Sequence, residues 1–151
     1  MTFPFDSNEF NLISSVAAEV VDRAFSAGFE SLSWDERTLF LIWITEGEVG
    51  NGGMHAVCYN STGDYLQWIP QAYRSIGHWQ KAGLFDRLRE AFGPSGPSSN
   101  HAARIAQHER LSDKTCSRID ALDEEFFALP DSIDDSILEI SKRLKPANYG
   151  A

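Results

Sequence analysis

The sequence lacks the features of a secreted, membrane-spanning or metal-binding protein. It has two cysteines, Cys58 and Cys116, which do not stand at the spacing of a redox or zinc motif. No segment approaches the roughly 18 apolar residues of a membrane span, and no basic stretch followed by an apolar run opens the chain. These absences predict a cytoplasmic protein with no membrane partner, in which both cysteines are small core residues.

Basic residues are scarce relative to acidic ones. The 151 residues include 13 Lys and Arg against 22 Asp and Glu, which gives a formal net charge of −9. A negative field of this size disfavours direct binding to nucleic acid and favours a basic protein as partner. The alternative is that the acidity only aids solubility, as it does in many soluble proteins.

Catalytic and phosphate-binding motifs are also missing. The chain has no G-x-S-x-G and no H-E-x-x-H, and the glycine turn at 50–53 has none of the Lys and Ser/Thr residues of a P-loop. The four histidines are scattered along the sequence: His55, His78, His101 and His108. The last two stand about 10 Å apart on one predicted helix, too far to share a metal ion. We therefore predict no enzyme activity, no cofactor and no metal.

The sequence also gives little support to acid–base catalysis or calcium binding by the carboxylates between 46 and 64. Glu46, Glu48 and Asp64 have no nucleophile or base at a recognised spacing beside them. Asn60, Thr62 and Asp64 have calcium-loop spacing, but such a loop needs a glycine and a glutamate where this chain has Tyr65 and Gln71. We expect these carboxylates to bond to loop amides and helix N-termini or to extend an acidic surface that binds a partner.

Apolar residues recur at helical spacing along most of the chain, and no segment alternates with the period of a strand. Together with a hydrophobic content of 42%, this pattern predicts a compact single domain over 1–151, an all-α bundle of about seven helices with a glycine-rich corner at 50–64. The predicted helices run from Ser7 to Gly28, from Ser33 to the glycines, and over 65–76, 78–92, 100–111, 112–129 and 132–144.

Several details of these helices can be predicted. Ser7 is a candidate N-cap of the first helix, and Ser33 with Glu36 has the spacing of a capping box. The run 39–44 is apolar on every side, which indicates a buried central helix. Pro70 predicts either a kink or a late start of the helix over 65–76. In the next helix, Lys81 is expected to face outward.

The glycine corner carries a recognisable pattern. Glu48 and Val49 precede Asn51-Gly52-Gly53, and Tyr59 precedes Asn60-Ser61-Thr62-Gly63. This arrangement resembles the signature of a bacterial family of unknown function, in which E-V-x-N-G-G is followed by an aromatic segment and N-S-[ST]-G. The resemblance extends from about Leu32 to Asp135. The chain departs from the family pattern in the packing residues around the first turn: Gly50, Met54, Ala56, Val57 and Cys58.

The resemblance has implications for fold and partner. The best-known member of that family is a small, acidic, mostly α-helical dimer that mimics DNA and occupies the DNA-binding surface of a helix-turn-helix transcription factor. The resemblance therefore implies a helical fold, a homodimer and a basic, DNA-binding partner. The motif residues have a structural role first, because glycines allow positive φ or close approach and the Asn residues beside them can hold the turns: Asn51, Gly52, Gly53, Asn60, Ser61 and Gly63.

An acidic segment without any basic residue lies near the C-terminus. Its eight carboxylates are Asp120, Asp123, Glu124, Glu125, Asp131, Asp134, Asp135 and Glu139. The first four span about 7.5 Å of helix, and duplex DNA carries about one charge per 1.7 Å of axis. Local charge densities are thus comparable, and we predict a surface that binds the Lys and Arg side chains of a partner. A solvated acidic face without a partner is the alternative.

These observations lead to two functional hypotheses. The first is a DNA-mimic-like inhibitor or regulator of a basic DNA-binding protein. The second is an immunity-type or other regulatory protein that neutralises a toxin or enzyme through apolar anchors. Binding should depend steeply on salt in the first case and weakly in the second. A less favoured third interpretation is an enzyme or small-molecule binder that uses the glycine corner.

Overall fold

The computed structural model describes residues 6–130 and 132–145, and the secondary structure in these ranges is helical without strands. The prediction of an all-α protein with about seven helices is confirmed. The α-helices are α1 Ser7–Ala27, α2 Trp34–Tyr59, α3 Ile69–Ser75, α4 Trp79–Glu90, α5 His101–Glu109, α6 Asp113–Ala128 and α7 Asp134–Leu144. Two 3₁₀ segments, Phe29–Ser31 and Ser61–Tyr65, flank α2. None of the helices in the described ranges is long and apolar enough to cross a bilayer.

Contacts divide the chain into two compact units. Among the described residues, the first comprises 6–40 and 132–145, and the second comprises Leu41–Pro130. In the first unit α1 packs against α7. The Arg143 guanidinium there binds the Asp35 carboxylate at 3.1 Å, and this contact raises the pKa of Arg143.

The second unit is built on the buried part of α2 and on two helix pairs, α3 with α4 and α4 with α6. Its aromatic core stacks Tyr73 on Phe85, with ring centroids 5.4 Å apart, and places Phe126 edge-on to Phe85. Three successive residues of α2 are fully buried: Phe40, the last residue of the first unit's part of the helix, and Leu41 and Ile42, which begin the second unit's part. The prediction of a buried helix at 39–44 is therefore confirmed for its first four residues.

Several local predictions can be compared directly with the structure. The Ser33–Glu36 capping box is present, with both reciprocal hydrogen bonds at 3.0 and 3.2 Å. The prediction of Ser7 as N-cap was wrong, because Asp6 accepts the hydrogen bond from the Glu9 amide and the Glu9 carboxylate returns one. Pro70 marks a late start, since α3 begins only at Ile69 and a proline fits in its first turn.

The prediction that Lys81 faces outward was also wrong. Its side chain is buried, and its ammonium binds the Glu46 carboxylate at 2.7 Å. The same ammonium lies 4.5 Å from the centre of the Phe126 ring, a cation–π distance. A lysine can occupy this position because both contacts replace the water that its charge loses. Trp79, the first residue of α4, is exposed although it is a large apolar residue.

Candidate functional site

The first turn of the glycine corner, at 50–53, contains a single backbone break. Helix α2 continues through 50–52, and only Gly53 departs from helical geometry, with φ 74° and ψ −168°. The Met54 amide then begins a second helical segment and donates a hydrogen bond to the Asp123 carboxylate at 2.6 Å. A carboxylate at this position satisfies an otherwise unpaired amide and complements the positive end of the segment. Asp123, predicted to bind a partner, thus supports the kink of α2.

The second half of the corner encloses a buried arginine. Arg104 on α5 is fully buried, and its guanidinium donates to three backbone carbonyls and to the Asp64 carboxylate at 2.8 Å. The carbonyl acceptors are Cys58 at 2.6 Å, Ser98 at 3.0 Å and Asn60 at 2.8 Å. A Cβ at Gly63 would overlap the Arg104 guanidinium and the Val57 carbonyl, so the motif glycine leaves room for the arginine. Asp64 is consequently committed to an ion pair inside the chain.

The other corner carboxylates also have intramolecular partners. Glu48 accepts a hydrogen bond from the side-chain amide of Asn60, which joins the two turns of the motif. Glu46 accepts from the Tyr73 hydroxyl at 3.0 Å as well as from Lys81. Burial, followed by the charge and hydrogen bond of Glu46, raises the pKa of Tyr73. The remaining motif residues Asn51, Gly52 and Ser61 are exposed. Glu46, Glu48 and Asp64 thus all form contacts within the chain, and their assignment to a partner surface stays a prediction.

Helix α6 presents the first acidic group. Ile119, Leu122 and Phe126 are buried, as the apolar stripe predicts. Glu125 forms an ion pair with Arg87 of α4 at 3.0 Å. This ion pair weakens the attraction between Glu125 and the basic groups of a partner. Glu124 is exposed and forms no hydrogen bond or ion pair with the described residues.

Two further exposed side chains of α6 accompany Glu124. Asp120 leaves 69% of its side chain accessible, and Phe127 is 63% exposed. Because Asp120, Glu124 and Phe127 are spaced by four and three residues, they share one side of the helix. We call this set the α6 face.

The second acidic group belongs to the other compact unit. Asp134 and Asp135 occupy the first turn of α7, where carboxylates complement the helix dipole. Glu139 accepts a hydrogen bond from Arg143 one turn later, at 3.3 Å. Asp131 lies outside the described residues. The assignment of these four carboxylates, Asp131, Asp134, Asp135 and Glu139, to a partner surface stays a prediction.

The sequence did not predict that two of the histidines, His55 and His108, contact each other. His55 Nδ1 and His108 Nε2 are 2.8 Å apart, and His55 Nε2 lies 3.1 Å from the Asp120 carboxylate. The two histidines are 53 positions apart, and no spacing along the chain indicates their contact. No three His, Cys, Asp or Glu side chains in 6–130 and 132–145 converge in a way that could hold a metal ion. Of the cysteines, Cys58 is buried, which raises its pKa to about 12, while Cys116 is half-buried.

Both turns of the glycine corner lie within a match to a known protein family. A model of the DMP19-like protein family matches residues 30–144, which is most of the chain and includes both turns of the corner. This chain belongs to the DMP19-like protein family. The resemblance predicted from the two turns is thereby confirmed at the level of the family. No curated protein and no solved structure matches the chain.

Proposed function

We propose that this member of the DMP19-like family acts by binding a basic protein through the α6 face. The observation that carries the proposal is the exposure of Asp120, Glu124 and Phe127 on one side of α6. Two carboxylates beside a large exposed aromatic ring form a mixed surface: the carboxylates attract Lys and Arg, and the ring supplies an apolar anchor. The net charge of −9 favours the approach of a basic partner from a distance.

DNA mimicry is the finer form of this proposal. Asp120 and Glu124 are separated by about 6 Å along the helix axis, close to two steps along one strand of duplex DNA at about 3.4 Å per phosphate. The basic side chains with which a helix-turn-helix transcription factor contacts phosphates would then contact both carboxylates. Asp123 and Glu125 add less to such an array, because the Met54 amide and Arg87 already bind them.

Regulation of a toxin or enzyme through a non-mimic interface is the second candidate. The exposure of Phe127 favours it, since an aromatic ring that is 63% exposed is the kind of residue that anchors protein interfaces. In that case the carboxylates only orient the partner, and the ring provides most of the affinity.

Neutralising the α6 face tests the first proposal. We expect the double variant Asp120→Asn with Glu124→Gln to weaken binding of a basic partner by about tenfold per carboxylate, because each loses a charge-assisted hydrogen bond. The partner is first captured from lysate with the wild-type chain, identified by mass spectrometry and purified. Its dissociation constant is then measured by titration calorimetry over a range of salt concentrations.

The control variant removes the same charge elsewhere. Asp22→Asn with Glu30→Gln changes two exposed carboxylates of the first unit and should leave the affinity unchanged. Equal affinity for the α6 variant and this control would contradict the proposal. A helix-turn-helix protein that is released by salt and competes with DNA for the chain would support mimicry.

Truncating the exposed ring separates the two candidates. If the non-mimic interface is correct, Phe127→Ala should weaken binding by at least about tenfold, as expected for a central aromatic anchor, with a shallow dependence on salt. If mimicry is correct, the same variant should lose much less affinity than the neutralised α6 face. Comparing the two variants against one purified partner decides between them, and circular dichroism checks that each retains its helical content.

A further inference from the structure

Three helical segments of the second unit meet at the histidine pair. His55 lies just after the kink of α2, His108 in the last turn of α5 and Asp120 in the middle of α6. The atoms form a chain of contacts: His108 Nε2 is hydrogen-bonded to His55 Nδ1 at 2.8 Å, and His55 Nε2 lies 3.1 Å from the Asp120 carboxylate. The Cys116 carbonyl lies 3.4 Å from the same His55 Nε2. Asp120, at one end of this chain, also belongs to the α6 face.

Hydrogen-bond chemistry assigns the protons of the neutral pair. A carbonyl only accepts, so His55 Nε2 carries the hydrogen that it donates to the Cys116 carbonyl. The Nδ1 of a neutral His55 is then an acceptor, and His108 must donate to it from Nε2. One additional proton can be accommodated on His55 if His108 changes to its other tautomer. A second additional proton cannot, because two N–H groups would face each other across 2.8 Å.

The surroundings oppose protonation of His108. Burial, followed by the neighbouring His55, lowers the pKa of His108 from its ordinary 6.5, and Glu109 raises it to a smaller extent. Three groups besides Asp120 and Glu109 line the pair: the Tyr59 ring, the Phe92 ring and the Cys116 carbonyl. His108 is therefore protonated to a smaller extent in the folded chain than in the unfolded chain just below pH 6.5. The stability that this difference contributes is complete above that pH and is lost as the pH falls through the lowered pKa of His108 in the folded chain.

We propose that His55 and His108 form a proton-sensitive latch, which holds α5 and α6 against the segment after the kink and controls the charge of the α6 face. In the neutral pair the two rings are hydrogen-bonded, and no positive charge lies on His55 beside Asp120. One additional proton on the pair, carried by His55, places a positive charge 3.1 Å from the Asp120 carboxylate and offsets its negative charge. The second protonation separates the rings. This control of the partner surface rests on the proposed function, whereas the latch itself does not.

The latch can be tested without a partner. The free energy of unfolding of the whole chain is measured by urea titration between about pH 8 and about pH 5, which brackets the ordinary histidine pKa of about 6.5. We expect the wild-type value to fall with pH and His108→Gln to lose most of that fall, because glutamine can still donate to His55 Nδ1 but does not titrate. His101→Gln, outside the pair, should keep the wild-type profile. Imidazole NMR signals of His55 should titrate in two coupled steps in the wild type and in one step in His108→Gln. Identical pH profiles for His108→Gln and the wild type, or independent single-step titrations, would overturn the latch.

The effect on the α6 face needs a purified basic partner. Its affinity should decrease roughly threefold to tenfold on acidification, and Asp120→Asn should remove this pH dependence. An affinity that responds to pH equally in Asp120→Asn and the wild type would overturn the control of the face. A partner whose affinity is indifferent to Asp120 at every pH contradicts the proposed function instead, and leaves the stability and NMR results to decide on the latch.

Discussion

Arg104→Met is expected to destabilise the chain by about 3–5 kcal/mol, the largest single effect that the structure predicts. The guanidinium is fully buried and donates to three carbonyls and one carboxylate. Methionine fills a similar volume but donates no hydrogen bond. The substitution therefore leaves Asp64 without its counter-ion and several polar groups unsatisfied, which is more costly than losing the contacts alone. The turn at 60–64 should lose its order first.

Urea unfolding followed by circular dichroism measures this effect. Arg110→Met, on an exposed arginine just after α5, is the matched control and should change the free energy of unfolding by less than about 0.5 kcal/mol. Arg104→Lys should be intermediate, since it keeps the charge but loses the planar fork of donors. An unfolding midpoint for Arg104→Met that equals the Arg110→Met midpoint would show that this network contributes nothing to stability.

Gly53→Ala is expected to cost about 2–4 kcal/mol. An L-residue is strained at φ 74°, and the new Cβ would lie 2.5 Å from the Asp123 carboxylate. Relief of that overlap would displace the carboxylate from the Met54 amide and remove the hydrogen bond that begins the second segment of α2. The backbone strain and the lost hydrogen bond both lower the free energy of unfolding, and together they give a large decrease.

A neighbouring glycine provides the control. Gly50 lies in the regular part of α2, and a Cβ there would meet no atom within 4 Å. Gly50→Ala should therefore be neutral or stabilise the chain by up to about 1 kcal/mol, because alanine favours the helix. The difference between the two alanine variants in thermal unfolding isolates the requirement at Gly53. Similar melting temperatures would refute a special conformation at this residue.

In the acidic segment, the sequence predicted which side of α6 is buried but not which carboxylates are free to bind a partner. The stripe of Ile119, Leu122 and Phe126 correctly predicted which side of α6 is buried. It could not distinguish among the carboxylates outside that stripe. Asp123 binds an amide 69 positions away, and Glu125 binds Arg87, 38 positions away. The partner surface proposed here is smaller than the predicted one for this reason.

The sequence by itself determined the all-α class, most helix ends, the capping box at Ser33 and Glu36 and the membership in the DMP19-like family. These features depend on side chains within one or two turns of each other, so a local pattern is sufficient to specify them. Only the tertiary structure decided that Lys81 is buried, that Arg104 needs the space at Gly63 and that His55 meets His108. Such contacts join residues on different helices, and whether two side chains face each other depends on how those helices cross, which no spacing along the chain encodes.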